Sequence, residues 1–590
     1  MPSLKGKKQR AKSKLSMKDA LADIGNVHVD MRSKKSWSLR DFIWEYPLYV
    51  SSAFVKLIPL SYIVLFVGVA VLMLFILQSK SFVRVVRGSG EKDTFREGAV
   101  GAFSSFNPLF STNNYVDRSI QSLVFEKFVD IDKDGNPIPG IAVSWKVSSD
   151  NLRYEFTIAD NKFWHDGTHL TVDDVLFTFR TAIELASDYD TIGTSIREIK
   201  IEKVDEKTIA FVLPEVNPVF FYAISVYIVP EAKLKNVELN QILFNAFTKY
   251  PMGSGKYEVV RTDENAVYLR DNVYDDFEPA IKNVVFRVYP DVKSLEMAFR
   301  VGSLDAIGGW DNELFTFVNE YNGLNKYEKA DEYRRRLVFF NIRKDSLKER
   351  KMRQAITYLF DKDSLLKDFG TKVLPISGPI PKNSWAYNSG IDYYSYNFEK
   401  ATELLKGLGY VKNDESGYFE SSTGEILSFT LSYFDSLTNK RLIPLIVENY
   451  KRNGVVLKVE KLNYVQLTQE IIATRDFELL LYEIETTIDP DQYNLWHSLK
   501  GNYPDWNLSG YSYERVDILL EDARKTLDQS VRKQKYNLFQ KYLMADCPAM
   551  FIYSPIFTYY VKDGWSGIEM SDINYSYERF RNIDQWKYIK

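Results

Sequence analysis

The sequence predicts a mixed α/β protein of several domains or lobes that follows a single transmembrane helix. Three observations lead to this prediction. The chain has 590 residues, of which 45% are hydrophobic and 26% charged, enough for a large core and for several units of about 100–200 residues each. Strand-like and helix-like apolar periods alternate through most of its length. Near the start, one long apolar run carries no charge.

This apolar run predicts a membrane anchor. Leu57–Leu77 comprises 21 uncharged residues, which as a helix measure about 31 Å and cross the hydrocarbon layer of a bilayer. A cleaved signal peptide has a shorter apolar region and a shorter preceding segment. A lipid anchor needs a Cys directly after the run, but the only Cys is Cys547. We therefore assign residues 57–78 to a transmembrane anchor and residues 79–93 to a linker.

The tail before the anchor is basic. Residues 1–56 hold twelve Lys and Arg against five acids, which favours a cytoplasmic location and attraction to anionic lipid over nucleic-acid binding. Counting only about 20 residues on each side of the span favours the opposite orientation, because two basic residues precede the span and five follow it. Large domains cross the membrane largely regardless of charge. We therefore expect a single-pass protein of the cytoplasmic membrane with its body on the outer face.

The body opens with clear local signals. Tyr154, Phe156 and Ile158 alternate with polar residues, as in a half-buried strand. Thr171, with Asp174 three residues later, predicts the capping box of a helix. Asn397 predicts the start of a helix with an apolar face that ends at Gly409. Further core stripes are predicted at Met352, Ala355, Ile356, Leu359 and Phe360; at Val455, Leu457 and Val459; and at Val516, Leu519, Leu520, Ala523 and Leu527.

Signatures of catalysis are missing from the sequence. No G-x-S-x-G elbow occurs, and Cys547 lies in an apolar segment that indicates an inert thiol. The four histidines are dispersed, without an H-E-x-x-H motif, so no metal site is predicted. Gly253–Lys256 (GSGK) lacks phosphate-loop spacing and predicts a turn into a strand. We expect neither an enzyme nor a cofactor, and the net charge of −3 supplies no electrostatic drive to bind nucleic acid.

Several segments, in order, resemble the large extracytoplasmic solute-binding proteins of ABC importers, the oligopeptide- and dipeptide-binding family (family 5). The longest begins SLVFEKFVDIDKDGNPIPGIAVSW and ends FWHDGTHLTVDDVLFTF. The matches extend from about Thr94 to Tyr559. The other segments are PMGSGKYEVV, RKMRQAITYLFDKDSLL, ISGPIPKNSWAYN, YNFEKATELLKGLGY, IDPDQYNLWHS and NLSGYSYERVDILLEDAR.

The resemblance implies a two-lobed periplasmic-binding-protein clam-shell. Its lobes are expected at 94–335 and 336–550, with 551–590 returning to lobe 1, and its crossing segments at Arg336–Ile342 and Phe551–Tyr559. It implies capture of a peptide, or a similar small solute, by lobe closure and transfer to ABC permease subunits by a monomer. Two alternatives stay open: a membrane-anchored sensor without transport, and an anchored hydrolase. Permease and ATPase genes next to the gene for this chain would favour import over sensing. An assay of turnover on peptide or glycan substrates would identify a hydrolase.

The resemblance also nominates ligand-binding residues. Peptide binders of this family place an Asp shortly before the D-P-D-like stretch to meet the peptide α-amine, and no Asp stands there in LLLYEIETTIDPD. Glu483 or Glu485 is the expected substitute, and Asp489 and Asp491 are weaker candidates because Asp489-Pro490 indicates a turn. Cleft-facing loops of the family align with four further residues: Asn114, Tyr115, Trp385 and Tyr387. The alternative interpretation of each acid is a solvated charge in a loop. The alternative interpretation of the four further residues is ordinary packing of loops.

Overall fold

The computed structural model describes residues 93–110, 114–186, 196–276, 278–391 and 393–589. These residues belong to one compact unit that spans residues 86–590. The predicted tail (1–56), the predicted transmembrane anchor (57–78) and residues 79–92 of the predicted linker lie outside the described residues. The helices in the described ranges include none with the length and apolar character needed to cross a bilayer.

The β-strands of the described residues are numbered in chain order. The longest of them, β20, has 14 residues. The strands are β1 (Thr94–Val100), β2 (Val129–Ile131), β3 (Pro137–Pro139), β4 (Ala142–Val147), β5 (Arg153–Ile158), β6 (Lys200–Lys203), β7 (Thr208–Val212), β8 (Tyr257–Thr262), β9 (Ala266–Asp271), β10 (Asn283–Tyr289), β11 (Ala306–Gly309), β12 (Leu324–Ala330), β13 (Arg334–Phe340), β14 (Val373–Pro375), β15 (Tyr410–Lys412), β16 (Phe419–Ser421), β17 (Ser428–Phe434), β18 (Val456–Leu462), β19 (Leu479–Glu485), β20 (Ala549–Lys562), β21 (Trp565–Ser566) and β22 (Lys587–Tyr588).

The α-helices are numbered in the same way. They are α1 (Tyr115–Val124), α2 (Val172–Leu185), α3 (Phe220–Ala223), α4 (Glu231–Leu234), α5 (Val292–Arg300), α6 (Asp345–Lys348), α7 (Arg350–Tyr358), α8 (Lys362–Phe369), α9 (Phe398–Lys406), α10 (Leu437–Arg452), α11 (Tyr493–Trp496), α12 (Glu514–Arg524) and α13 (Gln529–Asp546). Short 3₁₀ segments occur at Leu239–Phe244, Ala246–Thr248, Asn312–Glu320, Ser498–Lys500, Ser576–Glu578 and Ile583–Gln585, and a π-helical segment at Gln466–Ile472.

One twelve-stranded sheet runs through the body in the order β18-β17-β19-β13-β20-β11-β1-β10-β9-β8, with β12 and β14 also paired to β20. The first part of β20, from Ala549 to Tyr553, pairs with β13. Its last part pairs with β12 and β11. The single strand β20 therefore belongs to both halves of the sheet.

The point at which β20 changes its partner strands divides the body into two lobes. We call lobe 1 the described residues up to Asp331 together with those from Ile556 onward, and lobe 2 residues 333–554. The chain crosses between them at residues 331–333 and at Ser554-Pro555, where the Asp331 N–H donates to the Pro555 carbonyl at 3.0 Å. The second crossing lies inside the predicted segment Phe551–Tyr559. The first precedes the predicted Arg336–Ile342, because β13 pairs with β19 throughout its length; the predicted lobe boundaries stay a prediction.

Lobe 1 contains a second, smaller sheet with the order β4-β5-β7-β6. Helix α2 packs on it through a cluster of aromatic rings. Phe128 lies 5.1 to 5.8 Å, centroid to centroid, from the rings of Phe156, Phe179 and Phe211. All four rings are fully buried, so apolar burial holds this sheet to its helix.

The local signals in the sequence are confirmed with three adjustments. Two predicted core residues are exposed: Val459, which lies on the edge strand β18, and Leu527, which lies past the end of α12. Strand β5 alternates buried and half-buried residues, as the period of two predicts. The Asp174 carboxylate accepts from the Thr171 N–H at 2.9 Å at the start of α2. Asn397 caps α9 by accepting from the Lys400 N–H at 2.9 Å. That helix ends at Lys406, earlier than the apolar spacing indicated, because the chain turns through residues 407–409.

The GSGK segment forms the predicted turn before β8. A side chain at Gly253 would place its Cβ 1.8 Å from the Val124 carbonyl oxygen, and no residue with a Cβ tolerates that distance. Close backbone contact with α1 therefore requires this glycine.

The end of the chain returns to lobe 1. Trp565 and Trp586 lie 4.9 and 5.2 Å, centroid to centroid, from the ring of Phe95 in β1. Arg579 is fully buried and pairs with the buried carboxylate of Glu97. The Tyr559 hydroxyl donates to the same carboxylate at 2.6 Å. This network ties the final segment to β1 and to β20.

We expect Arg579→Ala to lower the free energy of unfolding by about 3–5 kcal/mol, because it leaves the Glu97 carboxylate buried without its cation. Urea unfolding of the full chain, followed by circular dichroism, measures the change. Arg153→Ala is the control: Arg153 pairs with Glu155 and Glu202 at a half-exposed site, and its loss should cost much less. Equal decreases in the free energy of unfolding for the two variants would contradict the stabilising role given to the Glu97–Arg579 pair.

We also expect Cys547 to be unreactive in the folded protein. Its thiol is 1% exposed, lies 3.2 Å from the Thr357 hydroxyl, and burial raises its pKa to about 11. Only the thiolate reacts readily, so Ellman's reagent should label it only after denaturation. Lys207→Cys, which introduces an exposed thiol, is the positive control. Rapid labelling of the unaltered native chain would show that the prediction is wrong.

Candidate functional site

The two lobes meet around a small cavity beside the crossing segments. It measures about 250 Å³ including its solvent-open part. Lobe 1 and the crossing contribute aromatic, hydroxyl and charged groups, and lobe 2 contributes an arginine and a glutamate. The lining residues are Tyr115, Arg118, Trp310, Asp331, Tyr575, Ser576 and Tyr577 from the first side, and Arg334 and Glu485 from lobe 2.

An ion pair joins the lobes across this cavity. Arg118 lies on α1, which Asn114 caps by accepting from the Val116 N–H at 3.0 Å. The Arg118 Nη1 donates to the two carboxylate oxygens of Glu485 at 2.6 and 2.8 Å. Glu485 is the last residue of β19 in lobe 2. The Arg118 Nη2 donates to the Tyr577 hydroxyl at 2.6 Å. The predicted candidate Glu485 thus lies in the cavity, held by a residue that sequence reasoning missed.

Glu483 lies two residues earlier on the same strand but has different partners. Arg336, directly opposite in the β13–β19 ladder, donates to it at 2.9 Å, and Arg334 donates to its other oxygen. Burial alone raises the pKa of this carboxyl, and the two guanidinium groups outweigh burial and lower it. Both partners belong to lobe 2, so Glu483 is neutralised within its own lobe.

Trp310, Asp331 and Arg334 form the wall nearest the crossing. The Arg334 guanidinium lies 4.1 Å from the centroid of the Trp310 ring, a cation–π contact between the lobes. The Trp310 indole N–H donates to Asp331. Ser576 also donates to Asp331, from its N–H at 3.1 Å and its hydroxyl at 3.0 Å. Burial raises the pKa of Asp331, and these hydrogen bonds oppose the rise.

Two predicted residues lie at the start of α1. Tyr115 lines the cavity, with its ring edge-on to Trp310 at 4.7 Å between centroids. Its hydroxyl donates to the Gly308 carbonyl at 3.1 Å. Asn114 is not among the lining residues, since its side chain caps α1 and also donates to the Ala102 carbonyl at 2.6 Å. Its observed role is to hold the helix that presents Tyr115 and Arg118.

The predicted acids Asp489 and Asp491 lie outside the cavity lining. Asp489 is 3% exposed and pairs with Arg532 at 2.8 and 3.0 Å. Asp491 pairs with Arg524 at 2.6 and 2.9 Å. Both pairs lie within lobe 2, where they hold the segment after β19 against α12 and α13.

The predicted aromatic residues Trp385 and Tyr387 also pack within lobe 2. Trp385 meets Tyr536 edge-on at 6.0 Å and lies 5.3 Å from the Arg532 guanidinium. Tyr387 stacks on Tyr393 at 5.7 Å between centroids. Neither lines the cavity described here, and their role in binding stays a prediction.

Further contacts close the lobes around the cavity. Lys525 of lobe 2 pairs with Glu215 of lobe 1 at 3.1 Å, and Arg441 of lobe 2 pairs with Asp311 of lobe 1. The Tyr575 hydroxyl of lobe 1 donates to the Thr486 carbonyl at 3.4 Å. These contacts describe a closed arrangement.

Comparison with known proteins yields a consistent set of matches. Residues 136–505 match the middle region of the bacterial extracellular solute-binding proteins, family 5. The chain is 26% identical over 480 residues to the oligopeptide-binding protein AppA of Bacillus subtilis, covering 78% of this chain and 85% of that protein. It is 23% identical over 482 residues to the dipeptide-binding protein of Escherichia coli, covering 77% and 87%.

Solved structures show the same fold. The structure of Bacillus subtilis AppA in complex with a nonapeptide matches with a TM-score of 0.71 at 24% identity, covering 84% of this chain and 99% of that one. NikZ of Campylobacter jejuni in complex with Ni(L-His) matches with a TM-score of 0.71 at 25% identity and the same coverages. The two-lobed architecture is that of periplasmic binding proteins.

We expect Glu483 to stabilise the fold in a pH-dependent way. Because its folded-state pKa is lowered, its contribution is fully present above the unfolded value near 4.5 and is lost as the pH falls through the folded value. Glu483→Gln should therefore lower the melting temperature at pH 7, with a difference from wild type that narrows below about pH 4.5. Melting curves of the full chain from pH 3 to 7 measure this.

Glu264→Gln is the control for this pH series, since Glu264 lies exposed in the turn between β8 and β9. Its melting temperature should follow that of wild type at each pH. A difference between Glu483→Gln and wild type that stays constant down to pH 3 would contradict the role given to the two arginines.

Proposed function

Because the chain belongs to family 5 of the bacterial extracellular solute-binding proteins, we propose that it captures short peptides between its lobes and delivers them to an ABC importer. The observation that carries this proposal is the Arg118–Glu485 pair, a cation and a carboxylate from opposite lobes that meet in the partly open cavity between them. The names of the two curated relatives, which describe oligopeptide and dipeptide binding, support the same solute class.

Glu485 is the proposed anchor for the peptide α-amine. A buried ammonium group needs a carboxylate partner, and Glu485 is the acid of β19 that lines the cavity. Glu483 already satisfies two arginines of its own lobe, which would lose a partner if it turned to a solute. Glu485 therefore takes the position for which the sequence offers no Asp.

The size of the cavity favours a short solute. The cavity between the closed lobes has room for about one water molecule, so any peptide must separate the lobes to enter. A dipeptide or tripeptide needs only a small separation of the lobes, whereas a longer peptide needs a large one. Tyr115, Trp310 and Tyr577 supply apolar ring surface for side chains of varied shape.

Closure provides the mechanism of capture. A solute that contacts both lobes makes all its contacts only when they are together, so it shifts the equilibrium toward the closed form. The hinge lies at residues 331–333 and at Ser554-Pro555, where the chain passes between the lobes. Loaded and empty proteins then present different surfaces to the permease, which is how the importer distinguishes them.

Residues 57–78 anchor this protein in the cytoplasmic membrane, with the basic tail inside and a monomeric body on the outer face. The uncharged run Leu57–Leu77 supports this proposal, since its length as a helix suits the hydrocarbon layer. The linker (79–93) then keeps the lobes close to the permease. Capture by the anchored protein and transfer to the importer both take place at the outer face of the cytoplasmic membrane.

Glu485→Gln tests the amine anchor. We expect it to weaken binding of Ala-Ala and Ala-Ala-Ala by about 30- to 4,000-fold, the equivalent of roughly 2–5 kcal/mol for a buried charge pair. Calorimetry on the full chain in detergent measures this. Acetylating the peptide amine should weaken binding to wild type, and should change little in the variant, which has already lost the carboxylate charge.

Glu264→Gln is the control for this measurement and should bind both peptides like wild type. Glu483→Gln distinguishes the two glutamates, since it should keep the preference for a free amine. Unchanged peptide affinity in Glu485→Gln would refute the amine anchor, and a wild-type chain that binds neither peptide would refute the solute class.

A further inference from the structure

Lobe 2 contains a second cavity, which lies apart from the one between the lobes. It is partly open to solvent and has room for about one water molecule or an ion of similar size. Phe360, Met550 and Phe551 give it walls of carbon, and Lys362 and Ser377 contribute polar groups. None of its lining residues lines the cavity between the lobes. We call it the lobe 2 cavity.

Lys362 is the cation of this cavity, and it has no carboxylate partner in the part of the chain that the structure describes. It is the first residue of α8, and its Nζ donates to the Ile376 carbonyl at 2.6 Å and to the Ser377 hydroxyl at 3.2 Å. Asp363 acts on its charge from a distance, without an ion pair. Burial, and to a smaller extent the charge of Lys382, lowers the pKa of Lys362 to about 8. The ammonium form therefore still dominates at pH 7.

The lobe 2 cavity also offers hydrogen-bond donors. An ammonium group has three N–H donors, and Lys362 uses two of them in the bonds to Ile376 and Ser377. Ser377 accepts from Lys362, and among the described contacts its own O–H has no acceptor. The hydroxyls of Tyr393 and Tyr394, which also line the cavity, donate to backbone carbonyls at 2.6 and 2.8 Å. One N–H and one O–H, from groups 3.2 Å apart, therefore remain for an acceptor in the cavity.

A second buried cation bonds the same loop. Arg335 is 1% exposed and donates to the carbonyls of Gly378 and Pro379. Burial lowers its pKa to about 9, and none of the described carboxylates forms an ion pair with it. Its guanidinium carbon lies 5.6 Å from the ring centroid of Phe551, which lines the lobe 2 cavity. The loop of residues 376–379 therefore bonds two buried cations through carbonyl and hydroxyl groups alone.

Neutral acceptors satisfy the hydrogen bonds of a buried cation but do not compensate its charge. Charges buried in proteins are ordinarily paired with an opposite charge, and burial of an uncompensated charge is costly. An anion in the lobe 2 cavity reduces this cost and accepts from both remaining donors. The cavity suits a monatomic anion, because a carboxylate or a phosphate group is larger than the space. Its carbon walls favour an anion that gives up its hydration easily, as chloride does more readily than fluoride.

We propose that lobe 2 binds one chloride ion in this cavity, held by the Lys362 ammonium group and the Ser377 hydroxyl. The ion joins the start of α8 to the loop that follows β14. Because β14 pairs with Tyr553–Pro555 of β20, the chloride site lies behind the lobe 2 side of the crossing and outside the cleft. The ion stabilises lobe 2, and its binding does not depend on which solute the cleft takes.

The first experiment measures the melting temperature of the full chain in detergent at pH 7, as sodium chloride replaces sodium gluconate at constant ionic strength. We expect the melting temperature of wild type to rise with chloride and then level off, because an ion that binds only the folded form stabilises it. Lys362→Met should lose this rise. Ser377→Ala should need about tenfold more chloride or above for the same rise, since the ion loses one donor.

Lys367→Met is the matched control, because it removes an exposed lysine from the same helix. Its melting temperature should rise with chloride as that of wild type does. General effects of the two salts on protein stability act on all four proteins alike, so they cancel when the rise in each variant is compared with the rise in wild type.

The second experiment locates the ion in the unaltered protein and so does not rely on the folding of a variant. Crystals of the full chain are grown in detergent with sodium bromide in place of sodium chloride, and diffraction is measured at the bromine absorption edge. We expect an anomalous peak in the lobe 2 cavity, in contact with the Nζ of Lys362 and the Oγ of Ser377.

Three results would overturn the chloride site. The first is a wild-type melting temperature that does not differ from that of Lys362→Met in its response to chloride. The second is an equal loss of the response in Lys367→Met, which would indicate a general effect of surface charge. The third is a lobe 2 cavity that holds water and no bromide, whatever the melting curves show. None of these results bears on peptide capture, which the Glu485→Gln measurement tests separately.

Discussion

The two lobes share one strand, and the rest of the structure depends on this constraint. β20 bonds to β13 in lobe 2 with its first residues and to β12 and β11 in lobe 1 with its last. Pro555 lies between these two stretches, and proline has no N–H to donate to a ladder. The bond to Asp331 uses the Pro555 carbonyl instead. β14 of lobe 2 also pairs with β20 as far as Pro555, so the partners of β20 change from lobe 2 to lobe 1 directly after this residue.

The crossing at this position, where we propose the hinge, lies beside the cavity between the lobes. Arg118 reaches across the gap from α1 to Glu485 at the end of β19. Glu485 stands opposite Arg334, one residue past the first crossing, so this contact between the lobes lies beside the crossing segments. Buried pairs within a lobe, such as Glu97–Arg579 and Asp489–Arg532, keep each lobe rigid. Rigid lobes convert a small local contact into movement of a whole lobe.

The sequence predicted local structure better than the site, for a physical reason. Strand β5 and the caps of α2 and α9 depend on residues a few positions apart, and their patterns are visible in any stretch of chain. The cavity lining joins Arg118, Asp331 and Tyr577, which lie hundreds of residues apart. The resemblance to the solute-binding family supplied Tyr115 and Glu485. It also supplied Asn114, Trp385 and Tyr387, which in the closed structure cap a helix or pack within lobe 2.

Register explains why two glutamates on one strand have different roles. Residues two apart on a strand face the same side, so Glu483 and Glu485 both point toward the arginines of β13. Arg336 stands opposite Glu483, and Arg334 stands opposite Glu485. Arg334, however, donates to Glu483 and lies against Trp310 of lobe 1. Glu483 thereby holds two cations of its own lobe, and Glu485 receives its cation from across the cleft. Glu485 is the last residue of β19, where the ladder with β13 stops. Its carboxylate can therefore bond a residue of the other lobe.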